Sequence, residues 1–81
     1  MNNSYRVNTF GIKFNCVMLQ YNKLPRDLLR SKYGLEFDFY QGWAVVRSHC
    51  GRRRNSEKVV QYTQAKAILE HLIEVGFKEE N

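Results

Sequence analysis

"LEFDFYQGWAVVRSHC", Leu35 to Cys50, decides how this chain folds. Leu35, Phe37 and Phe39 alternate with Glu36, Asp38 and Tyr40. A period of two is the pattern of a strand with one buried face. Gln41–Gly42 interrupts the pattern, and Trp43 to His49 resumes it. If Gln41–Gly42 is a two-residue hairpin turn, the register follows from it. Phe39 then faces Ala44, Phe37 faces Val46 and Leu35 faces Ser48, lining one apolar face. On the other face Tyr40 meets Trp43, Asp38 meets Val45 and Glu36 meets Arg47. An aromatic pair and an opposite-charge pair that fall opposite one another support this register. The turn itself is imperfect, because Asn or Asp is preferred where Gln41 stands.

Downstream, "EKVVQY" (Glu57–Tyr62) reads as a further strand with Val60 and Tyr62 inward. A helix beginning at Ser56 is the alternative. Val-Val and Tyr favour the strand, and Thr63 offers a local helix start as N-cap. "QAKAILEHLIEV" (Gln64–Val75) is amphipathic, with Ala65, Ile68, Leu69, Leu72 and Val75 as its apolar stripe. Gly76 suits the left-handed position past a helix end, and Phe77 can fold back on the helix.

Upstream, "LPRDLLRSKYG" (Leu24–Gly34) reads as a short helix near 25–33, with Pro25 in the first turn and Gly34 past the end. "YRVNTFGIKFNCVMLQY" (Tyr5–Tyr21) reads as strand, because Phe10, Ile12, Phe14 and Cys16 alternate with Gly11, Lys13 and Asn15. Seventeen residues are long for one strand, so a hairpin or bulge near Asn8–Gly11 is expected. The expected fold is α+β: a single small domain, an antiparallel sheet of 3–5 strands packed on the C-terminal amphipathic helix, plus the short helix. The sheet's other face would show Tyr40, Trp43, Val45, Arg47 and His49.

Length and composition agree with one folded domain. The chain has 81 residues, of which 43% are hydrophobic and 14% aromatic. A chain this short buries only about 60–65% of its unfolded surface. The net charge is +5 and uneven. Lys23 to Lys58 holds nine Lys/Arg against four Asp/Glu, and from Val59 onward two stand against four. A basic middle points to a polyanionic partner. "MNNSYRVNTF" lacks the basic and apolar regions of a signal peptide, and no run approaches a bilayer span, so no membrane partner is expected. Two cysteines, Cys16 and Cys50, are too few for a disulfide framework. The expectation is a cytoplasmic chain with reduced thiols.

The sequence contains no phosphate-binding glycine loop, nucleophile elbow or metalloprotease helix. Glu36, Asp38 and Asp27 with a lysine would be the raw material of a metal-dependent nuclease. Pairing of Glu36 with Arg47 and a place for Asp38 on the solvent face explain these two residues more simply, so the chain is read as non-catalytic. Cys16, His49, Cys50 and His71 lack zinc-ligand spacing, and neither a metal nor a cofactor is expected.

"SHCGRRRNSEK" (Ser48–Lys58) is the most suggestive stretch for binding. Gly51 lets the chain turn, and Arg52, Arg53 and Arg54 would project from a 50–56 loop, where guanidinium forks reach phosphates. Arg47 and Lys58 flank that loop. Trp43 and Tyr40 offer stacking surface. Nucleic acid, with duplex DNA favoured, is the first partner these residues suggest.

"GWAVVRSHCGRRRNSEKVVQYTQAKAILEHL", Gly42 to Leu72, resembles the three-stranded-sheet-plus-helix DNA-binding modules of tyrosine-recombinase arm-binding domains and plant ethylene-response factors. Trp43, Arg52–Arg54, Tyr62, Thr63 and Ala65 occur in the order of that pattern. The resemblance implies a sheet that enters the major groove and strand Arg and Trp residues that touch DNA. It covers under half the chain and omits the N-terminal strand and the Pro25 helix. From Pro25 onward the order of elements is also similar to double-stranded-RNA-binding domains, without their basic start to the final helix.

The second reading is a small protein-binding inhibitor or adaptor, of the viral host-takeover or anti-defence type. Trp, Tyr and Arg dominate binding hot spots, so Trp43, Tyr40 and the arginines would serve a protein target as well. An N-terminal strand pairing edge to edge would give a homodimer.

Overall fold

A computed structural model of the chain describes residues 3–9, 12–21, 34–50 and 53–80. Strand β2 (Gly34–Phe39) and strand β3 (Trp43–Cys50) pair antiparallel, with Leu35 opposite Ser48, Phe37 opposite Val46 and Phe39 opposite Ala44. This is the register that the alternation and the two-residue turn imply. The Tyr40 N–H donates to the Trp43 carbonyl at 2.9 Å, and Gly42 takes φ +81°. Gln41 does not adopt a positive φ. Only Gly42 needs the left-handed region, so Asn or Asp is not required at Gln41.

Strand β4 (Arg53–Gln61) extends this hairpin antiparallel to β3. The 57–61 segment is therefore strand, as Val-Val favours. The strand starts earlier than expected, however. Arg53 is paired with Cys50 and Arg54 with His49, so the 50–56 loop shrinks to the Gly51–Arg52 connection, which lies outside the described residues. Ladder pairing continues because one extra residue is absorbed by a bulge: Ser48 opposes Ser56 while His49 opposes Arg54.

Strand β1 (Asn3–Val7) pairs antiparallel with β2, and a two-residue strand β5 (Glu79–Glu80) pairs with Arg6 and Val7 of β1. The sheet order is β4-β3-β2-β1-β5. On β1's outer edge β5 covers Arg6 and Val7, so Asn3–Tyr5 is what remains there for pairing between copies.

The long N-terminal strand is a correction. The chain leaves β1 after Val7 and forms helix α1 (Ile12–Met18), continued by a 3-10 turn, Leu19–Tyr21. Phe14 and Met18, four apart, are buried, and Val17 and Tyr21 pack against the core, while Lys13, Cys16 and Leu19 are exposed. Phe14 fits both a period of two and a helical stripe, and packing decides for the helix. The expected helix near 25–33 lies outside the described residues.

Helix α2 (Tyr62–Glu74) buries Ala65, Ile68, Leu69 and Leu72 against the sheet. Its N-cap is Gln61, without a side-chain bond, and not Thr63. The Tyr62 N–H instead donates to the Gly42 carbonyl at 3.3 Å, so the β2–β3 turn supplies one acceptor for the unpaired first turn. At the other end Phe77 N–H reaches the Leu72 carbonyl at 3.0 Å and Gly76 N–H the Ile73 carbonyl at 3.1 Å. Gly76 has φ +108°. These are the bonds of a Schellman motif, and they turn Phe77 back onto Phe14, edge to face at 6.1 Å. Lys13 ties α1 to the same corner by donating to the Val75 carbonyl. The result is an α+β fold with both helices on one sheet face. Its core is centred on Val7, Phe14, Leu35, Phe37, Ile68 and Leu72, each 1% exposed or less.

Candidate nucleic-acid interface

The second sheet face carries the candidate site, and strand register arranges it in rows. Arg6 stands opposite Glu80 and Glu36, Glu36 opposite Arg47, and Arg47 opposite Glu57. Charge thus alternates in sign across all five strands, from β5 to β4. Cross-strand neighbours of opposite sign favour their own register and penalise a slip.

Arg47 is the best-held member of this row. Its Nε donates to Glu57 Oε2 at 2.7 Å, its Nη1 donates to Asp38 Oδ2, and Glu36 Oε1 lies 3.6 Å from Nη1. The Arg47 side chain is only 15% exposed. Burial works against its charge, but the Glu57 hydrogen bond and the Asp38, Glu57 and Glu36 charges outweigh it and raise the guanidinium pKa. A cation held by three carboxylates attracts phosphate poorly, because their negative field cancels its own. The structure confirms the Glu36–Arg47 pair expected from register. It also shows that Arg47 is not an unengaged phosphate contact, which the position of Arg47 beside the arginine stretch had suggested.

Toward one end of the face lies a row of Gly34, His49 and Arg54. Arg53, opposite Cys50, stands at the same end. Residues 22–33 hold Lys23, Arg26, Arg30 and Lys32 with one carboxylate, Asp27, and residues 52–54 are three arginines. Together they carry six net positives against +5 for the whole chain, so everything else sums to −1. Residues 22–33 and 51–52 lie outside the described residues.

Toward the other end stand the aromatics. Tyr40 and Trp43 stack with ring centroids 4.2 Å apart and planes 14° apart. Trp43 is 41% exposed and Val59 67% exposed. Val45, with Asp38 and Val59 across from it, is buried. His49 lies six residues beyond Trp43 on β3, a distance of about 20 Å along the strand. Arg53 and Arg54 and the Tyr40–Trp43 stack therefore lie toward opposite ends of one hairpin. Lys58 opposes Val46 of the core face, so by strand alternation it belongs to the side opposite Arg47, although it is exposed on the edge strand.

The residues weighed for metal binding or catalysis are not assembled. Cys16 is exposed on α1, and His71 on α2 meets the Tyr21 ring edge to face at 5.8 Å. Among the described residues no cluster of three His, Cys, Asp or Glu could hold a metal ion. Glu36 and Asp38 share Arg47, and Asp27 lies outside the described residues. Among the described residues no helix is long and apolar enough to cross a membrane.

Comparison with family models, curated proteins and solved structures found no match for this chain. Two contributors to the face escaped sequence reading. Arg6 was hidden because β1's register depends on a partner 30 residues away. Glu57 was legible only once β4 was aligned on β3.

Proposed function

We propose that this protein is a small, non-catalytic nucleic-acid-binding module that engages the phosphate backbone, duplex DNA in the first place, through the basic end of its sheet. The observation that carries this reading is the end of the β3–β4 ladder, where Arg53 stands opposite Cys50 and Arg54 opposite His49. In sequence, residues 22–33 and 52–54 hold six net positives against −1 for the rest, a bias that suits a polyanionic partner. Arg52, Arg53 and Arg54 are the principal phosphate ligands. Trp43 and Tyr40 take part only along an extended ligand, because about 20 Å of strand separates them from the arginines. The resemblance of Gly42–Leu72 to arm-binding modules supports the same partner class. It implies contact through the sheet face, whereas the charge here favours the sheet end. A cytoplasmic setting with reduced thiols accords with this partner.

The test is a mobility-shift or anisotropy titration against salt. Binding should weaken steeply as salt rises, and replacing Arg52, Arg53 and Arg54 together by Ala should flatten the log–log slope by about 2.7. No binding to duplex DNA, single-stranded DNA or RNA at low salt would refute the reading.

A second reading has its own observation in support. Trp43 and Val59 are exposed on either side of buried Val45, an arrangement suited to a protein hot spot. A protein-directed inhibitor or adaptor, of the viral host-takeover or anti-defence type, would use this end. It predicts a stoichiometric protein partner in a nuclease-treated pull-down, lost on Trp43→Ala.

A further inference from the structure

Strand β4 is outermost on one side of the sheet, and a single bond shows which way its backbone groups point. The Tyr62 N–H donates to the Gly42 carbonyl at 3.3 Å. Gly42 and Tyr62 are thus a hydrogen-bonded pair, and such pairs alternate along an antiparallel ladder. Val60 with Ala44 and Lys58 with Val46 are therefore hydrogen-bonded pairs, whereas Gln61 with Trp43 and Val59 with Val45 are not. Val59 and Gln61 turn their N–H and carbonyl groups away from β3, along the outer edge of the sheet. Among the described residues no strand pairs with that edge.

The side chains on this edge do little to shield it. Edge strands commonly carry prolines, inward charges or bulges that discourage a second strand. The β4 bulge lies at its far end, near Arg54, while 57–61 is regular and contains no proline. At the centre of that segment stands Val59, 67% exposed, beside Val45, which is buried. A β-branched side chain in this position gains most when another strand covers it. The outer edge of β1 offers less, because β5 leaves only residues 3–5 there.

We infer that two copies of this chain pair antiparallel through β4, about a two-fold axis at Val59, and join their sheets into one. Self-pairing is favoured because one register of β4 complements itself. An axis at Glu57 sets two glutamates opposite one another, and an axis at Lys58 sets two lysines so; both oppose like charges. An axis at Val60 or Gln61 runs the ladder into helix α2, which begins at Tyr62. An axis at Val59 sets Val59 opposite Val59, Lys58 opposite Val60 and Glu57 opposite Gln61. No like charges are then directly opposed, and the whole of 57–61 is paired. On the second face the apolar row runs from Val45 and Val59 of one copy to Val59 and Val45 of the other. The Gln61 amide can donate to the Glu57 carboxylate of the second copy. Pairing of this length makes a small interface, so the association is reversible. The inference stands apart from both readings above, since it needs neither nucleic acid nor a foreign protein.

The test is sedimentation of the nucleic-acid-free chain from about 1 µM to about 1 mM, with amide hydrogen exchange at both ends of that range. Cys16 is exposed, so reductant is present throughout. The mass should rise from one chain to two as concentration rises. The Val59 and Gln61 amides should then exchange several-fold more slowly, while Lys58 and Val60, already bonded to β3, change less. Val59→Lys should remain a single chain at every concentration. Val59→Thr, which keeps the branched shape, should still pair. Circular dichroism checks that each variant is folded; if Val59→Lys is not, the mass and exchange of the unaltered chain decide. A single-chain mass at about 1 mM would overturn the inference. A dimer whose Val59 and Gln61 amides stay unprotected would also overturn it, because the copies would then meet by another surface. Survival of the dimer in folded Val59→Lys would do the same.

Discussion

Replacing Arg47 by Met tests the charge row directly. Met keeps much of the stem's volume and removes the charge, leaving Glu36, Asp38 and Glu57 facing one another. Breaking a fully buried ion pair costs about 3–5 kcal/mol, and an exposed pair is worth at most about 1 kcal/mol. Arg47 and Asp38 are each 15% exposed, whereas Glu57 is 49% exposed and its share is screened by solvent. The expected loss lies between these limits, about 2 kcal/mol. A chain of this length has a total stability of about 4–12 kcal/mol, so the variant remains folded. Its melting temperature should fall by about 10 °C. Urea unfolding measures the free energy, and a cycle with Glu57→Gln isolates that pair. The Arg47 pKa is raised, so its contribution is complete below the ordinary arginine value and is lost only as pH rises through the higher folded value. The Arg47→Met penalty should therefore be the same at about pH 7 and pH 9. The same variant bears on function: because Arg47 is held by carboxylates, its removal should leave the salt slope of nucleic-acid binding unchanged. A stability loss under about 0.5 kcal/mol, or a slope reduced by about 0.9, would refute the reasoning.

Phe77→Ala should cost about 3–4 kcal/mol in urea unfolding, because Phe77 is 9% exposed and closes α2 onto Phe14. Gly42→Ala should cost about 1 kcal/mol through backbone strain alone, since φ is +81° and nothing lies within 4 Å of the added carbon; Gly42→Asn should recover part of that loss. Trp43→Ala should lower stability by only about 1 kcal/mol, the stack on Tyr40 being half open to solvent, and should leave the phosphate-dependent salt slope intact. A slope change in Trp43→Ala would mean that the two ends of the hairpin act as one binding surface.

The elements legible in the sequence are those whose signals are local and agree with one another. Alternation and a Gly at the turn specify the β2–β3 register, the apolar stripe specifies α2, and Gly76 with Phe77 specifies its end. Phe14 shows where local signals fail. Its neighbours satisfy a period of two and a helical period alike over a short run, and contact with Phe77, 63 residues away, selects the helix. Thr63 fails as a cap for a related reason: a carbonyl from the β2–β3 turn takes up the first helical N–H, so the helix starts two residues earlier.

By itself the sequence determined the strand-rich centre, the closing helix, the uneven charge and the presence of an arginine cluster, because composition, periodicity and turn chemistry act between near neighbours. Only the tertiary structure decided which charges meet. Pairing of β1 with β2 and of β3 with β4 built the alternating row, occupied Arg47, left Arg6 Nε without a partner and set Arg53 and Arg54 in the ladder opposite Cys50 and His49. Electrostatic fields add over distance in space, and that distance is set by strand register rather than by position along the chain.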